Sequence, residues 1–360
     1  MSTRKMSVAI VGATGIAGQQ FIDALRDHPW FQITALAASA RSAGKSYGEA
    51  LRDAKTGAVR WWCADAPPPE VARLPVAAGS DFDAASVDIV FSAIESEPAR
   101  ELEPRWAKLR PVFSTASAYR YEEDVPLLIP GVNLGHAPLL RAQKEHRGWK
   151  GFVAPIPNCT TTGLAIALAP LHAAFGVEKV AMTSMQGISG AGRSPGVVAL
   201  DILDNVIPYI PGEEEKVAKE TAKILGTLGR GAIDPAALVV SATCTRAAVL
   251  EGHTETVSVS LARACTPEAA ADAMRDYRGG IEDLPSAPRH MLTVHDDPFR
   301  PQPRLDRDAQ GGMTTSVGRL RTDALWANGL RFVLVSHNTK FGAAKGAVLL
   351  AEALHRDGYF

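Results

Sequence analysis

Ser7-Val8-Ala9-Ile10-Val11 runs without a break into Gly12-Ala13-Thr14-Gly15-Ile16-Ala17-Gly18, and an apolar-periodic segment, Gln19 to Leu25, follows at once. Buried strand, glycine turn and helix in that order make the context of a dinucleotide loop. The glycines let backbone amides approach a pyrophosphate at the helix N-terminus. The spacing is G-x-x-G-x-x-G rather than the commoner G-x-G-x-x-G, and a tight strand-to-helix turn without a ligand has the same shape. Gly12, Thr14, Gly15 and Ile16 are the residues expected against a cofactor.

The next segments carry the pattern on. A second strand, Ile33 to Ala37, ends in Ala38-Ser39-Ala40-Arg41-Ser42-Ala43-Gly44-Lys45. In a nucleotide fold this end meets the adenosine ribose, where a carboxylate selects NAD and a basic residue accepts a 2′-phosphate. Ser39, Arg41 and Ser42 stand there with no acid, which favours NADP, although a solvated loop would also suit Arg41 and Lys45. Val87 to Ala93 and Pro111 to Ser114 read as further strands around a helix, Ala99 to Leu109. The alternation predicts an α/β fold: a Rossmann-type, doubly wound parallel sheet followed by an α+β catalytic and dimerisation domain. Arg120 lies just past the C-terminal end of a strand, the side where such sheets bind ligands.

Near the middle of the chain stands Pro157-Asn158-Cys159-Thr160-Thr161-Thr162-Gly163, between an apolar run, 151–156, and a helical run, Leu164 to Phe175. A cysteine at such a corner meets unpaired N–H groups and the positive end of a helix dipole, which favour the thiolate. Most free cysteines are small buried hydrophobes, and that reading stands beside the nucleophilic one.

Beyond it a strand, Val180 to Gln186, empties into Gly187-Ile188-Ser189-Gly190-Ala191-Gly192. Gln186 at the mouth can orient a carbonyl without titrating. The apolar spacing of Gly196 to Tyr209 predicts a helix buried on several sides, against another subunit. Glu213-Glu214-Glu215-Lys216 opens a helix extending to about Leu225, with its acids placed for the dipole and a solvated helix start as the plainer reading. Leu238 to Val249 and His253 to Leu261 are strands separated by Leu250-Glu251-Gly252, and a bend there lets Arg246 and His253 face one pocket. A last helix, opening at His337-Asn338-Thr339 and ending near His355, is expected to return to the first domain. The domains so drawn are 1–157, completed by 337–360, and 158–336.

Composition restricts what such a chain can do. Its 38 basic and 39 acidic residues among 360 give a net charge of −1, so no global field recruits nucleic acid or anionic lipid. No apolar run reaches the roughly 18 residues that span a bilayer, and the early start of strand and glycine loop leaves no room for a signal peptide. A cytoplasmic location is expected. Cys63, Cys159, Cys244 and Cys265 show no metal-ligand spacing, so no metal is expected and a thiol is used singly.

With these pieces named, the chain resembles the aspartate-β-semialdehyde dehydrogenase family, in its archaeal and fungal branch. The residues that carry the resemblance are GATGIAG at 12–18, SARSAGK at 39–45, PNCTTTG at 157–163, QGISGAG at 186–192, DNVIPYIPGEEEK at 204–216, CTR at 244–246, GHT at 252–254, RPQPRLDR at 300–307 and NTKFGAA at 338–344. The resemblance implies Cys159 as nucleophile, Gln186 as orienting amide and His253 as general acid/base. It implies Arg246 on the substrate α-carboxylate, Glu213 on its α-ammonium, Lys216 and Arg120 on phosphate, and Asn158 among the substrate contacts. Ser189, Gly190 and Asn338 lie where the family holds the nicotinamide half.

The implied chemistry is NADPH-dependent reductive dephosphorylation of 4-phospho-L-aspartate through a Cys159 thioester, in lysine, threonine and methionine biosynthesis, by a homodimer or homotetramer. In the other direction a thiohemiacetal is oxidised to the thioester, which inorganic phosphate cleaves. The rival readings are a related acyl reductase, such as malonyl-CoA reductase or N-acetyl-glutamyl-phosphate reductase, and a non-catalytic NADP-binding protein that kept the fold.

Overall fold

A computed structural model describes residues 4–192 and 199–360. Two sheets organise them. The first is built from β1 (Met6–Val11), β2 (Phe31–Ala38), β3 (Val76–Ala78), β4 (Ile89–Ser92), β5 (Val112–Ser114) and β6 (Val153–Pro155). All pair in parallel in the order β3-β2-β1-β4-β5-β6. The order reverses between β1 and β4, and the crevice beyond the C-terminal ends of those strands is where an open α/β sheet takes its ligand. Both faces are covered, which is why the strands read as unbroken apolar runs rather than alternating ones.

The second sheet gathers β7 (Val177–Gln186), β8 (Val206–Ile207), β11 (Val239–Ala247), β12 (His253–Leu261), β13 (Leu292–His295), β14 (Thr315–Asp323) and β15 (Gly329–Ser336). β9 (Thr227–Leu228) and β10 (Ile233–Asp234) form a separate ribbon. The order is β13-β14-β15-β12-β7-β11-β8, mixed in direction, with β11 parallel and β12 antiparallel to β7. β11 and β12 are therefore not neighbours. β7 lies between them, and the segment 248–252 crosses its end.

The helix Cys159–Phe175 is buried nearly all round from Thr160 to Leu171, as a helix inside a core must be. Leu164, Leu168 and Leu171 belong to one apolar cluster with Val257, Val259, Phe332 and Leu334 of the second sheet. The C-terminal helix, Ala344–Arg356, packs Ala347, Val348 and Ala351 among the side chains of the first sheet while Leu349 and Ala353 join the second cluster. Its Glu352 is fully buried. It accepts from His28 Nε2 at 2.7 Å and from the Ser286 N–H at 3.0 Å, so one carboxylate ties the helix to both halves.

Several elements differ from expectation. The helix expected over Leu164–Phe175 begins five residues earlier, because Asn158 caps it. The last helix begins at Ala344, and 338–343 are turns. Of the expected helix 196–209 only Ala199–Ile202 is helical, followed by β8, while Gly196, Val197 and Val198 lie outside the described residues. Leu200, Leu203, Val206 and Tyr209 are exposed in the single chain, so their spacing does not record a helix packed on its core.

Candidate active site

The glycine loop has the shape its spacing predicted. Gly12 sits at φ +85°, and a Cβ there would stand 2.3 Å from the Ala93 carbonyl oxygen; one on Gly18 would stand 2.2 Å from the Gly12 carbonyl oxygen. These two positions exclude any side chain. Gly15 is different: a Cβ would meet only the Gly12 carbonyl oxygen, at 3.5 Å, so its outer face is open toward the crevice. The loop carbonyls are held from behind, Ala13 by the buried Tyr47 hydroxyl at 2.8 Å and Thr14 by Gln19 Nε2 at 2.9 Å. That leaves the first N–H groups of the helix Ile16–Ala24, whose N-cap Gly15 has no side chain, to receive a pyrophosphate. Ser39 and Arg41 are exposed just past β2 with Ser42 half-buried in the same turn and no carboxylate among them, a setting that fits a 2′-phosphate.

Cys159 is the first residue of its helix. The Asn158 side chain accepts from the N–H groups of Thr160 at 2.9 Å and Thr161 at 3.3 Å, which closes the helix end. Cys159 Sγ lies 3.2 Å from His253 Nε2, and the residue is half-buried rather than sealed in hydrocarbon. The helix terminus does not by itself ionise the thiol. Burial, with the Glu213 carboxylate, pushes it up to about 12 against the lowering pull of Arg246, Arg120 and the Thr160 N–H. The expectation was that the free N–H groups and the dipole at this corner favour thiolate; desolvation outweighs them here.

Histidine 253 begins β12. The Gly187 N–H donates to its Nδ1 at 3.1 Å, so a neutral ring carries its proton on Nε2, facing the sulfur. Burial, then the Arg246 charge, pushes the ring down to about 3, so it is neutral at working pH and poised to donate.

The strand register explains how distant residues meet. Arg246 on β11 pairs with Gln186 on β7, and on the far side of β7 Met185 pairs with Thr254 of β12. Arg246, Gln186 and His253 therefore stand abreast at one end of three adjacent strands. Arg246 is buried and donates from Nη1 to the Gly187 carbonyl at 2.9 Å. A Cβ on Gly190 would stand 2.9 Å from that Nη1 and 3.4 Å from His253 Cε1, and one on Gly342 would stand 2.9 Å from Cys159 Cβ. Glycine at both positions keeps the space around the sulfur open.

Glu213 is a hub. Its Oε1 accepts from Asn158 Nδ2 at 2.8 Å, Gln186 Nε2 at 3.2 Å and Thr160 Oγ1 at 3.3 Å, and Lys216 Nζ lies 3.8 Å from its Oε2. The plainer reading of 213–216 as a solvated helix start fails for Glu213, which is buried, and holds for Glu215, which is exposed. Arg120 is buried too, its guanidinium joined to Glu220 at 3.0 Å and to the Thr115 carbonyl at 3.0 Å. Asn338 spends its carboxamide inside the protein, accepting from the Gly252 N–H and donating to Ser189 Oγ, both at 2.8 Å.

Two residues of this neighbourhood were missed in the sequence. Glu220, fully buried, accepts from Arg120, from the Tyr121 hydroxyl at 3.2 Å and from the Asn158 N–H at 2.6 Å. It falls seven residues after Glu213 on the same helix face, a signal that was available. Glu255, two positions beyond His253 on the same face of β12, is fully buried with no hydrogen-bond partner for either oxygen, and burial together with Glu213 raises it well above the carboxylate range. A neutral carboxyl there left no mark in the sequence.

The profile described as "Semialdehyde dehydrogenase, NAD binding domain" matches residues 7–138, and "Semialdehyde dehydrogenase, dimerisation domain" matches 168–341. An aspartate-semialdehyde dehydrogenase of Methanothermobacter thermautotrophicus is 44% identical over 353 residues, covering 97% of this chain and 99% of its own length. The chain belongs to this family. The enzyme of Aspergillus fumigatus is 43% identical, covering 99% of this chain and 98% of its own. Among solved structures, aspartate semialdehyde dehydrogenase with NADP from Candida albicans superposes with a TM-score of 0.86 at 37% identity, covering 99% of this chain and 100% of that one. Archaeal and fungal members thus both match over full length, as the motifs implied, and the family's dimerisation domain brings an oligomer with it. Among the described residues no helix is long and apolar enough to cross a membrane.

Proposed function

We propose that the chain is an NADP-dependent phosphorylating aspartate-β-semialdehyde dehydrogenase that reduces 4-phospho-L-aspartate to L-aspartate 4-semialdehyde as a cytoplasmic homodimer or homotetramer. The observation that carries this reading is the Cys159 Sγ to His253 Nε2 separation of 3.2 Å at a capped helix N-terminus, with Arg246 and Glu213 beside it. A buried guanidinium suits an α-carboxylate and a buried carboxylate suits an α-ammonium, so the pair fits an amino acid at both charged ends. Lys216 at the mouth, with the Arg120 charge behind it, supplies the positive field for phosphate.

In this reading the Cys159 thiol gives up its proton to solvent, since the His253 Nε2 facing it already carries one, and the thiolate, held by that Nε2–H beside the Arg246 charge, attacks the acyl carbon. A C–S bond forms, the bond from the acyl carbon to the bridging phosphate oxygen breaks, inorganic phosphate departs and takes up a proton from solvent, and a thioester remains on Cys159. His253 Nε2–H donates to the oxyanion that develops on that carbon, and Gly187 keeps the ring in the donating tautomer. When bound across Gly15 and Ser39-Arg41-Ser42, NADPH supplies the hydride that reduces the thioester. Collapse of the resulting oxyanion breaks the C–S bond and returns the thiolate. Gln186 orients the carbonyl from the side of Glu213.

The test is phosphate-dependent reduction of NADP by L-aspartate semialdehyde, with Cys159→Ala alongside. The wild type should turn over and the variant should lose at least about 10³-fold in rate, the scale on which a catalytic nucleophile acts. Activity surviving in Cys159→Ala, or preference for malonyl-CoA over 4-phosphoaspartate in the reductive direction, would overturn the proposal.

A further inference from the structure

Away from the reacting atoms, a continuous set of hydrogen bonds joins the glycine loop to the peptide in front of His253. Gln19 is buried on the first helix. Its Nε2 donates to the Thr14 carbonyl at 2.9 Å and the Arg60 carbonyl at 2.8 Å, and its Oε1 accepts from the Trp62 N–H at 2.6 Å. Trp62 Nε1 then donates to Glu251 Oε1 at 3.0 Å, carrying the chain from the glycine-loop half of the molecule to the half that holds His253. The same oxygen accepts from Thr339 Oγ1 at 2.7 Å, and the Glu251 carbonyl accepts from Arg307 Nη1 at 3.1 Å.

One residue further, the Gly252 N–H donates to Asn338, and His253 is next. Gly252 sits at φ +92°, so the bend has no side chain of its own to fix it at that point. It also has little room to move independently. A Cβ on Gly187 would stand 3.1 Å from Glu251 Cα, and Ile188 and Ser189 donate their N–H groups to Val249 and Leu250 at 2.8 and 3.1 Å. The bend 249–252 and the loop 187–192 are one packed unit, and Gly187 in that unit sets the His253 tautomer.

We propose that Gln19, Trp62 and Glu251 are positioning residues that couple occupancy of the glycine loop to the placement of His253 against Cys159. None of the three touches a reacting atom. The inference rests on the dehydrogenase reading of the site. A dinucleotide pyrophosphate drawn onto the N–H groups after Gly15 orients the Thr14 peptide. Gln19 spans that peptide and the Trp62 N–H with one planar amide, and the Trp62 indole transmits the orientation to Glu251. The imidazole then donates to the sulfur in the geometry that favours thiolate.

The probe is 2′-phospho-ADP-ribose, which fills the glycine loop and ribose site but has no nicotinamide ring to crowd the sulfur. The readout is the rate of Cys159 alkylation by iodoacetamide, with and without saturating probe. In the wild type the probe should accelerate alkylation about five-fold or more, the low end of ordinary site-to-site coupling. Trp62→Phe, which keeps an aromatic ring and removes the N–H, and Glu251→Ala should bind the probe and melt near the wild-type temperature yet show no acceleration. Glu251→Gln, which keeps the acceptor oxygen, should retain it. Wild-type alkylation indifferent to the probe, or acceleration undiminished in Trp62→Phe and Glu251→Ala, overturns the inference. Alkylation needs no turnover, so failure of the dehydrogenase assay would strike the functional reading and leave this result to stand on its own.

Discussion

Single residues here are set by burial as much as by their neighbours. Cys159 and His253 are both shifted toward their neutral forms, and so is Glu103, an acid beneath the ends of β4 and β5 that accepts from the Ser114 hydroxyl and has one oxygen without a partner. Burial pushes Glu103 up to about 7 from an ordinary 4.5, with Ser114 and Ser92 opposing. A carboxyl raised on folding contributes stability that is complete below its unfolded value and is lost as pH climbs through its folded one. Between pH 4.5 and about 7 the native state keeps a proton that the unfolded state releases, so stability falls across that window. Glu103→Gln removes this slope. Urea unfolding of variant and wild type should show their difference shifting in the variant's favour by roughly 3 kcal/mol between about pH 4.5 and pH 8. A difference that does not change with pH would mean that Glu103 is not held protonated.

At the scale of the element, the helix Glu213–Ile224 organises more of the site than its acidic first turn suggests. Glu213 gathers Asn158, Thr160 and Gln186, while Glu220, two turns later, holds Arg120 and the Asn158 N–H. Lys223 donates to the carbonyls of Arg120, Glu122 and Val125 and fastens the loop that carries Arg120. Removing one partner of a buried ion pair strands the other charge. Glu220→Ala should therefore cost about 3–5 kcal/mol in chemical unfolding, whereas Glu215→Ala, on the exposed face, should stay within about 0.5 kcal/mol. Equal effects at the two positions would show that Glu220 is not the anchor described. Glu213 and Glu215 belong to one run of acids in the sequence, and only the packing of Val217 and Ile224 into the core decides which of them turns inward.

For the whole molecule, the family's dimerisation domain and the exposed apolar side chains of 199–209 bear on the same question. Leu200 is 86% exposed and Leu203 63% exposed in the single chain, with Val206 and Tyr209 beside them on the outer end of the second sheet. Large apolar side chains left exposed on neighbouring stretches of chain suit a protein contact. The double variant Leu200→Asp/Leu203→Asp should shift the oligomer toward monomer in light scattering while retaining the wild-type circular dichroism. An oligomer of unchanged mass would move the subunit interface to another face.

The amino-acid sequence by itself determined the nucleotide-binding half, because a buried strand, a glycine turn at φ +85° and a helix are fixed by local sterics that leave few alternatives. It also determined where Cys159 sits, since Asn158 capping and the break before Cys159 are local. The meeting of Arg246, Gln186 and His253 was another matter. Their strands are brought abreast by β7 inserting between β11 and β12, a long-range pairing that no periodicity records. The inward turn of Glu213, the upward shifts of Glu255 and of the Cys159 thiol on burial, and the Trp62–Glu251 contact were decided only by tertiary structure. Each depends on how far water is excluded from a polar group, and that is a property of the packed molecule rather than of any segment of the chain.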